Sequence, residues 1–327
     1  WRDQQRKQAR IRLITWIAIA VVGLVLCVIA IIFALRSFNR SQYHGGVEYW
    51  RDEPEMSPAS AAELLHMVDN KHSSTLTSRK MSASVLSLAS RGAIAIYPGV
   101  AAMYRGIDMS QANNADIARM IANDPARIRD VGKTSTVVIL PVVFNNVQSL
   151  QLRPSEQAAL DLLVTASERI GSPVFDLDQM NENFSDWKNG YKLQEKFTNT
   201  CDNEFAMLGA TSICGGGAFA AGICAVMLAF LSMLYFGAIG NLALLAVISA
   251  PMMFASVFAL SYLKLKGLTD NGQYLAGQVL GLKHYMEDFS EFKDRGVTDM
   301  TLWGRYMVYA TAFGISEKAM KQLLKAY

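Results

Sequence analysis

Phe205–Leu263 reads FAMLGATSICGGGAFAAGICAVMLAFLSMLYFGAIGNLALLAVISAPMMFASVFALSYL, without an Asp, Glu, Lys or Arg. A bilayer core of about 30 Å takes about 20 apolar residues as a helix, so these roughly 59 residues suffice for two passes. Lipid offers no water to backbone amides, so each pass must be helical. Tyr235-Phe236-Gly237-Ala238-Ile239-Gly240-Asn241 interrupts the run with two glycines and an Asn. The stretch therefore predicts a hairpin, with helices near Ala218–Tyr235 and Leu242–Leu263.

Working outward, Leu13–Leu35 is also uncharged, preceded by Arg2, Arg6, Lys7, Arg10 and Arg12 and followed by Arg36 and Arg40. At about 23 residues it spans with some tilt. It is too long for a signal peptide, and no small-residue cleavage site follows. The chain opens on Trp1, which fits a trimmed N-terminus and an internal first span. Composition agrees with a mixed membrane and aqueous protein. It is 51% apolar and 18% charged, where soluble domains run near 25% charged. A net charge of +3 is too small to imply nucleic acid. Cys27, Cys201, Cys214 and Cys224 form neither a zinc pattern nor a disulfide framework and read as apolar fillers, Cys201 alone expected in water.

The aqueous segments have their own signals. Residues 41–56 read as a polar linker. Ser57-Pro58 offers an N-cap and a first-turn Pro, with Ala61, Leu64, Leu65 and Val68 on one face. Lys80–Arg91 predicts a second helix ended by Gly92, and Ala93–Tyr97 a short strand, the layout of a winged helix. Asn114–Ile121 reads as a short helix, with a turn at Asp124-Pro125. Thr134–Phe144 is rich in β-branched residues and predicts a strand, placed at an edge or bulge by Pro141. Arg153-Pro154-Ser155-Glu156 starts another helix, Val174–Leu177 a short strand, and Asp178–Met207 one long helix toward the membrane. Helices follow over Gly272–Phe289 and Val297–Phe313, whose Trp and Tyr suit packing on headgroups or on the aqueous unit. A last short helix starts at Ser316.

The expected fold is an α-helical membrane protein with three transmembrane helices, an α+β winged-helix-like cytoplasmic region and a helical C-terminal tail. Its parts are a basic juxtamembrane segment (1–12), transmembrane helix 1 (13–35) and a linker (36–56). A winged-helix-like unit (57–150), a second such unit (151–207), the hairpin (215–263, turn near 236–241) and the tail (264–327) complete it.

Chemistry is sparse. Glu63 and His66 stand three apart and His284 and Asp288 four apart, but a di-iron bundle site needs two Glu-x-x-His motifs and two further Glu. No metal or cofactor is expected. There is no Gly-x-Ser-x-Gly, and Gly132-Lys133-Thr134 lacks the earlier Gly of a P-loop. A DNA-reading helix would present Ser82, Ser84, Ser87 and Ser90, poor reagents for base edges, so nucleic acid is not an expected partner. The candidate site is instead a face for close helix packing or self-association: Gly209, Gly215, Gly216, Ala218, Ala221 and Gly222. Expected partners are the lipid bilayer, a second copy through that face, and an unidentified cytoplasmic protein.

Several stretches resemble the YciQ-like family of bacterial predicted membrane proteins, a domain of unknown function. They are Met56–Leu65, Met81–Ile94, Leu152–Leu163, Tyr285–Ser290 and Leu302–Lys318. The resemblance implies a bacterial inner-membrane protein with an outward β-rich domain before the first span, here absent, and a cytoplasmic remainder. It implies no activity, cofactor or catalytic residue. The leading expectation is a non-enzymatic scaffold or signalling protein; a channel or transporter subunit and a membrane-tethered DNA-binding regulator are the alternatives.

Overall fold

The computed structural model describes residues 2–69, 75–109, 114–123, 132, 134–240, 242–291 and 297–326. The chain divides into two compact units, residues 1–45 with 209–274 and residues 46–208 with 275–327.

The first unit is a helical bundle. Helix α1 is Arg2–Ser41. Its 40 residues extend about 60 Å, twice a hydrocarbon core, so it projects past the apolar stretch. The hairpin brings the second span, Gly216–Ala238, and a third made of Leu242–Leu244, π-helical Leu245–Ser249 and Ala250–Tyr262. The π segment sits immediately before Pro251, which cannot donate to the ladder and clashes with the preceding turn, so a widened turn is its local remedy. The second span continues through Gly237, and the left-handed residue that reverses the chain is Gly240 (φ 70°). Asn241 lies outside the described residues. All three helices are long and apolar enough to cross a membrane. Strands Thr211–Ile213 and Lys266–Leu268 pair antiparallel where the hairpin opens, Ser212 opposite Gly267.

What joins the three spans is a seam of small residues. On α1 the buried positions are Ala20, Gly23, Cys27, Ala30, Ala34, Ser37 and Ser41. Alternating steps of three and four keep them on one stripe, the spacing of left-handed helix packing. The second span answers with Gly222, Ala225, Ala229, Ser232 and Phe236, the third with Ser249, Met252, Ser256 and Ala259. Small side chains let backbones approach without a hydrophobic driving force. The seam's hydroxyls are satisfied: Ser232 donates to Ala229 O (2.9 Å) and lies 3.2 Å from the Ser249 hydroxyl, and Ser256 donates to Met252 O (2.9 Å).

In the second unit, α2 (Pro58–Asp69) and α3 (Leu76–Ser90) precede β1 (Ile94–Pro98). Ser57 caps α2, accepting from Ser60 N at 3.1 Å, and Gly92 ends α3 in the left-handed region (φ 76°). Helix α4 is Asn114–Ala122 and β2 is Ser135–Ile139. Then come α5 (Pro141–Asn146), α6 (Pro154–Ile170), β3 (Val174–Asp176), α7 (Leu177–Ser185) and α8 (Gly190–Met207). The tail adds the helices Asp270–Glu287, which belongs to this unit from Leu275 onward, Val297–Phe313 and Ser316–Ala326. The turn at Asp124-Pro125 lies outside the described residues.

Three expectations change. The strand around residue 140 is shorter and central, not at an edge. The sheet runs β1-β2-β3, all antiparallel, with Ile94 opposite Ile139 and Val137 opposite Phe175. Pro141 ends the ladder and becomes the first residue of α5, where its missing N–H costs nothing. The long helix from Asp178 is broken at Trp187. Gly190 starts a new helix where a Cβ would stand 2.9 Å from the Phe184 carbonyl, and Arg169 stacks on Trp187 at 4.6 Å. The winged helix is not confirmed either. Helix α3, its would-be reading helix, packs on α2, α6 and Val297–Phe313. Ser84 and Ser87 are buried rather than wet; Ser82 and Ser90 are exposed. Residues 57–150 and 151–207 share one sheet and one core, which joins Ala59, Leu88, Ile94 and Val137 to Leu160, Phe175 and Phe197.

Candidate functional site

The six small residues proposed for helix packing divide by environment. A Cβ on Gly215 would stand 2.5 Å from the Lys264 carbonyl, and one on Gly222 would stand 2.7 Å from Leu260 Cδ2. Ala221 packs with Ala30, Ala34 and Ala259. These three are consumed inside the bundle. Gly209 (φ 60°) turns the chain ahead of the hairpin, and its carbonyl accepts from Thr269 Oγ1 at 2.7 Å. Gly216 has open space around it. The side chain of Ala218 lies outside the described residues.

The bundle has two distinct ends. At one, Trp16 of α1 stacks on Tyr235 with ring centroids 4.5 Å apart. At the other, the end of α1 meets the exit of the hairpin: Lys264 N donates to Ser37 Oγ (3.2 Å), and Gln273 Nε2 to Gln42 O (2.8 Å). His44 N returns a bond to Gln273 Oε1 at 2.9 Å. An open cavity of about 620 Å³ lies here, lined by Arg40, His44, Ser212 and Asp270 among others.

The second unit holds buried charge. Glu156 is fully buried and accepts from Ser87 Oγ (2.5 Å), Arg91 Nε (3.1 Å) and its own helix's Arg153 N (2.8 Å). The carboxylate thus caps α6 and pins it to α3. Lys80 is also buried, 2.5 Å from Glu63 and 3.4 Å from Asp202. Burial pulls its pKa down, but the bond and charge of Glu63, with Asp202 adding, outweigh it, and the pKa is raised. Cys201 beside it is buried, contrary to expectation, because α8 turns it into the core shared with α6 and the sheet. Burial pushes its thiol up to about 12, so it is protonated at neutral pH.

Above Glu156 opens a polar cavity of about 450 Å³ lined by Glu53, Arg91, Arg153, Arg305 and Tyr309. Arg305 pairs with Glu53 (3.2 Å) and Arg91 with Glu156, while Arg153 has no carboxylate partner among the described residues. Tyr309 donates to Met56 O (2.9 Å), and burial with the nearby Glu53 raises its pKa. Tyr306 donates to Arg51 O (2.5 Å). The tail's tyrosines therefore fasten residues 51–56, the nominal linker, instead of facing headgroups; the Trp303 side chain lies outside the described residues.

Other candidates do not assemble. Glu63 is taken by Lys80, and His284 approaches Glu48 O at 3.3 Å. No group of three metal-ligating side chains occurs among the described residues. Lys133 of the P-loop-like triplet and His72 lie outside them.

A three-span apolar bundle continuous with a mostly helical aqueous unit defines an integral membrane protein. The chain belongs to the family described as predicted membrane protein (DUF2207), C-terminal domain, which matches residues 46–323. The YciQ-like resemblance is consistent with that family. No curated protein and no solved structure matches the chain.

Proposed function

We propose that this protein is a non-enzymatic, membrane-anchored interaction or signalling scaffold, with its second unit on the cytoplasmic face of a bacterial inner membrane. One observation carries the reading. The chain passes between the bundle and the aqueous unit three times, at 45/46, 208/209 and 274/275. A simple anchor needs one connection; three tether all three spans to one folded core. A change of packing among the spans then has three covalent routes to the surface that partners meet. The YciQ-like resemblance, which implies a cytoplasmic remainder, supports this placement, while Arg36, Arg40, Lys264 and Lys266 on this flank are matched by Arg2, Arg6, Lys7, Arg10 and Arg12 at the other.

The test joins topology to partner capture. A single cysteine at Gly45, in a chain otherwise free of cysteine, is labelled with an impermeant maleimide in intact cells and in inverted vesicles. Labelling only in inverted vesicles supports the cytoplasmic placement; labelling in intact cells ends it. Crosslinking in native membranes should then trap a defined cytoplasmic protein whose capture is altered by seam substitutions such as Ala30→Leu. Substrate turnover lost on changing residues of this chain would sink the scaffold reading.

A further inference from the structure

We propose that the end of the bundle where α1 finishes holds a binding site for an anionic phospholipid, with a headgroup phosphodiester not neutralised by a headgroup cation as the recognised group. Four cations converge there from two parts of the chain. Arg36 and Arg40 stand four apart on one face of α1, and Lys264 and Lys266 follow the third span directly. The Lys264 amide bonds Ser37, between the two arginines, and a Cβ on Gly267 would stand 3.0 Å from Arg40 Cβ. The two pairs are therefore neighbours in space as well as in hydropathy.

None of the four has a carboxylate partner among the described residues, in contrast to Lys80, Arg91, Lys283 and Arg305 of the other unit. Arg36 lies 6.0 Å from the Phe33 ring, a cation–π contact that brings no opposite charge. The one acidic side chain lining the adjoining cavity of about 620 Å³ is Asp270. Arg40 alone of the four lines that cavity, and Asp270 forms an ion pair with none of them among the described residues, so the cluster keeps its positive charge.

Its depth fits a lipid headgroup. Arg36 is the first charge after Leu13–Leu35, and Lys264 the first after Phe205–Leu263, so both stand where hydrocarbon gives way to phosphate. The cavity beside them offers a place for the headgroup beyond the phosphate, with Arg40 and His44 on its wall. A lipid phosphate is fixed at this level by its own acyl chains, while a soluble phosphate must be drawn from bulk water. That difference selects the lipid as occupant.

Arg6, Lys7, Arg10 and Arg12 at the other end are also exposed, but they project from a single helix. They supply the internal control. The full chain, in a mild neutral detergent, is titrated with dioleoylphosphatidylglycerol or dioleoylphosphatidylcholine, and retained lipid is counted by native mass spectrometry. Phosphatidylglycerol should be retained over phosphatidylcholine. Each cation removed at the site, by Arg40→Gln or Lys266→Gln, should weaken retention about fivefold, at about 1 kcal/mol per juxtamembrane cation. Arg40→Lys should keep most of it, and Arg10→Gln should leave it unchanged. All these side chains are exposed, and an unchanged thermal midpoint for each variant reports an intact fold. Equal retention of the two lipids overturns the proposal, as does equal loss in Arg10→Gln and Arg40→Gln. So does displacement of the lipid by glycerol 3-phosphate at matching concentration, which would assign the site to a soluble anion.

Discussion

Glu156→Ala is the substitution that should damage the aqueous unit most through a single carboxylate. The side chain is fully buried, and it serves a hydroxyl, a guanidinium and a backbone amide at once. Removing it strands the buried Ser87 hydroxyl, at about 1–3 kcal/mol. Loss of the reciprocal cap at Arg153 N adds about 1 kcal/mol. Arg91 is 28% exposed and recovers water in part, so its share is discounted. The sum, about 2–4 kcal/mol before any share for Arg91, overlaps the general cost of breaking a buried pair from one side and is a large fraction of a domain's about 5–15 kcal/mol. Glu156→Gln keeps the volume and one acceptor and should lose about half as much. Urea unfolding of the detergent-solubilised chain, followed by tryptophan fluorescence, measures both. A double-mutant cycle with Arg91→Gln should return a coupling of about 1 kcal/mol, because the two side chains touch. If Glu156→Ala shifts stability by less than about 0.5 kcal/mol, the carboxylate is not the joint between α3 and α6, and the account of how the arginine cavity is held together is wrong.

Alkaline pH should weaken the same unit. The Cys201 thiol titrates near 12 when folded against a reference of 9.0, so its contribution is complete below pH 9 and is lost as pH climbs toward 12. At pH 10.5 this amounts to about 2 kcal/mol, visible as a falling thermal midpoint that Cys201→Ala should blunt. Lys80, also raised, adds a loss of stability that begins only above its reference of 10.5. In a chain whose other three cysteines are replaced, the Cys201 thiol should resist maleimide at pH 7.5 until the protein is unfolded; prompt labelling of that folded chain contradicts the buried placement. In the bundle, Gly215→Ala forces a methyl toward the Lys264 carbonyl and should cost about 1–3 kcal/mol, while Gly216→Ala, with open space, should be neutral within about 0.5 kcal/mol. Equal thermal shifts for the two would show that the seam does not sort them. Tyr309→Phe leaves the Met56 carbonyl without its phenol and should cost about 1 kcal/mol, with faster proteolysis within residues 50–56 as the local readout.

The membrane spans were legible because a run without charge is a local signal that needs no partner. Helix ends at Ser57 and Gly92 were legible for the same reason, since caps are chemistry within a few residues. Errors arose where the deciding partner is distant. Ser84 and Ser87 look like a wet face, yet Glu156, on a helix nearly seventy residues later, answers Ser87 inside the core. The β-branched run past Ile139 promised more strand than Pro141 allows. The helix break at Trp187 had a cue in Asn189-Gly190, which aromatic spacing on both sides masked. The small-residue seam was half read: the second span's glycines drew attention, while Ala20, Gly23, Cys27, Ala30, Ala34, Ser37 and Ser41 carry the more regular spacing. Apolar richness hid that stripe, because in a membrane helix the large side chains face lipid and the small ones face protein.

Basic residues flank both ends of the bundle, so the positive-inside rule does not by itself orient the chain, and the reason is structural. Because Trp16 meets Tyr235 and Ser37 meets Lys264, the basic N-terminal turns of α1 and the Gly240 turn share one end of the bundle, and the three links to the aqueous unit share the other. Arg2, Arg6, Lys7, Arg10 and Arg12 flank the first end; Arg36, Arg40, Lys264 and Lys266 flank the second. Charge counting near the spans, five against four, leaves a bias that depends on asymmetry little to act on. The two groups still differ in arrangement. The first lies along one helix that runs past the bilayer, free to rise into water. The second is spread over two chain segments held together by the Ser37 and Gly267 contacts, and it stays at headgroup depth. If the second group binds anionic lipid as proposed, it supplies the asymmetry that counting misses. Replacing Arg36, Arg40, Lys264 and Lys266 together by Gln should then produce mixed labelling of a Gly45→Cys probe from both sides of the membrane. Neutralising Arg6, Lys7, Arg10 and Arg12 should leave a single orientation. The reverse pattern would make the N-terminal segment the determinant and place the aqueous unit outside.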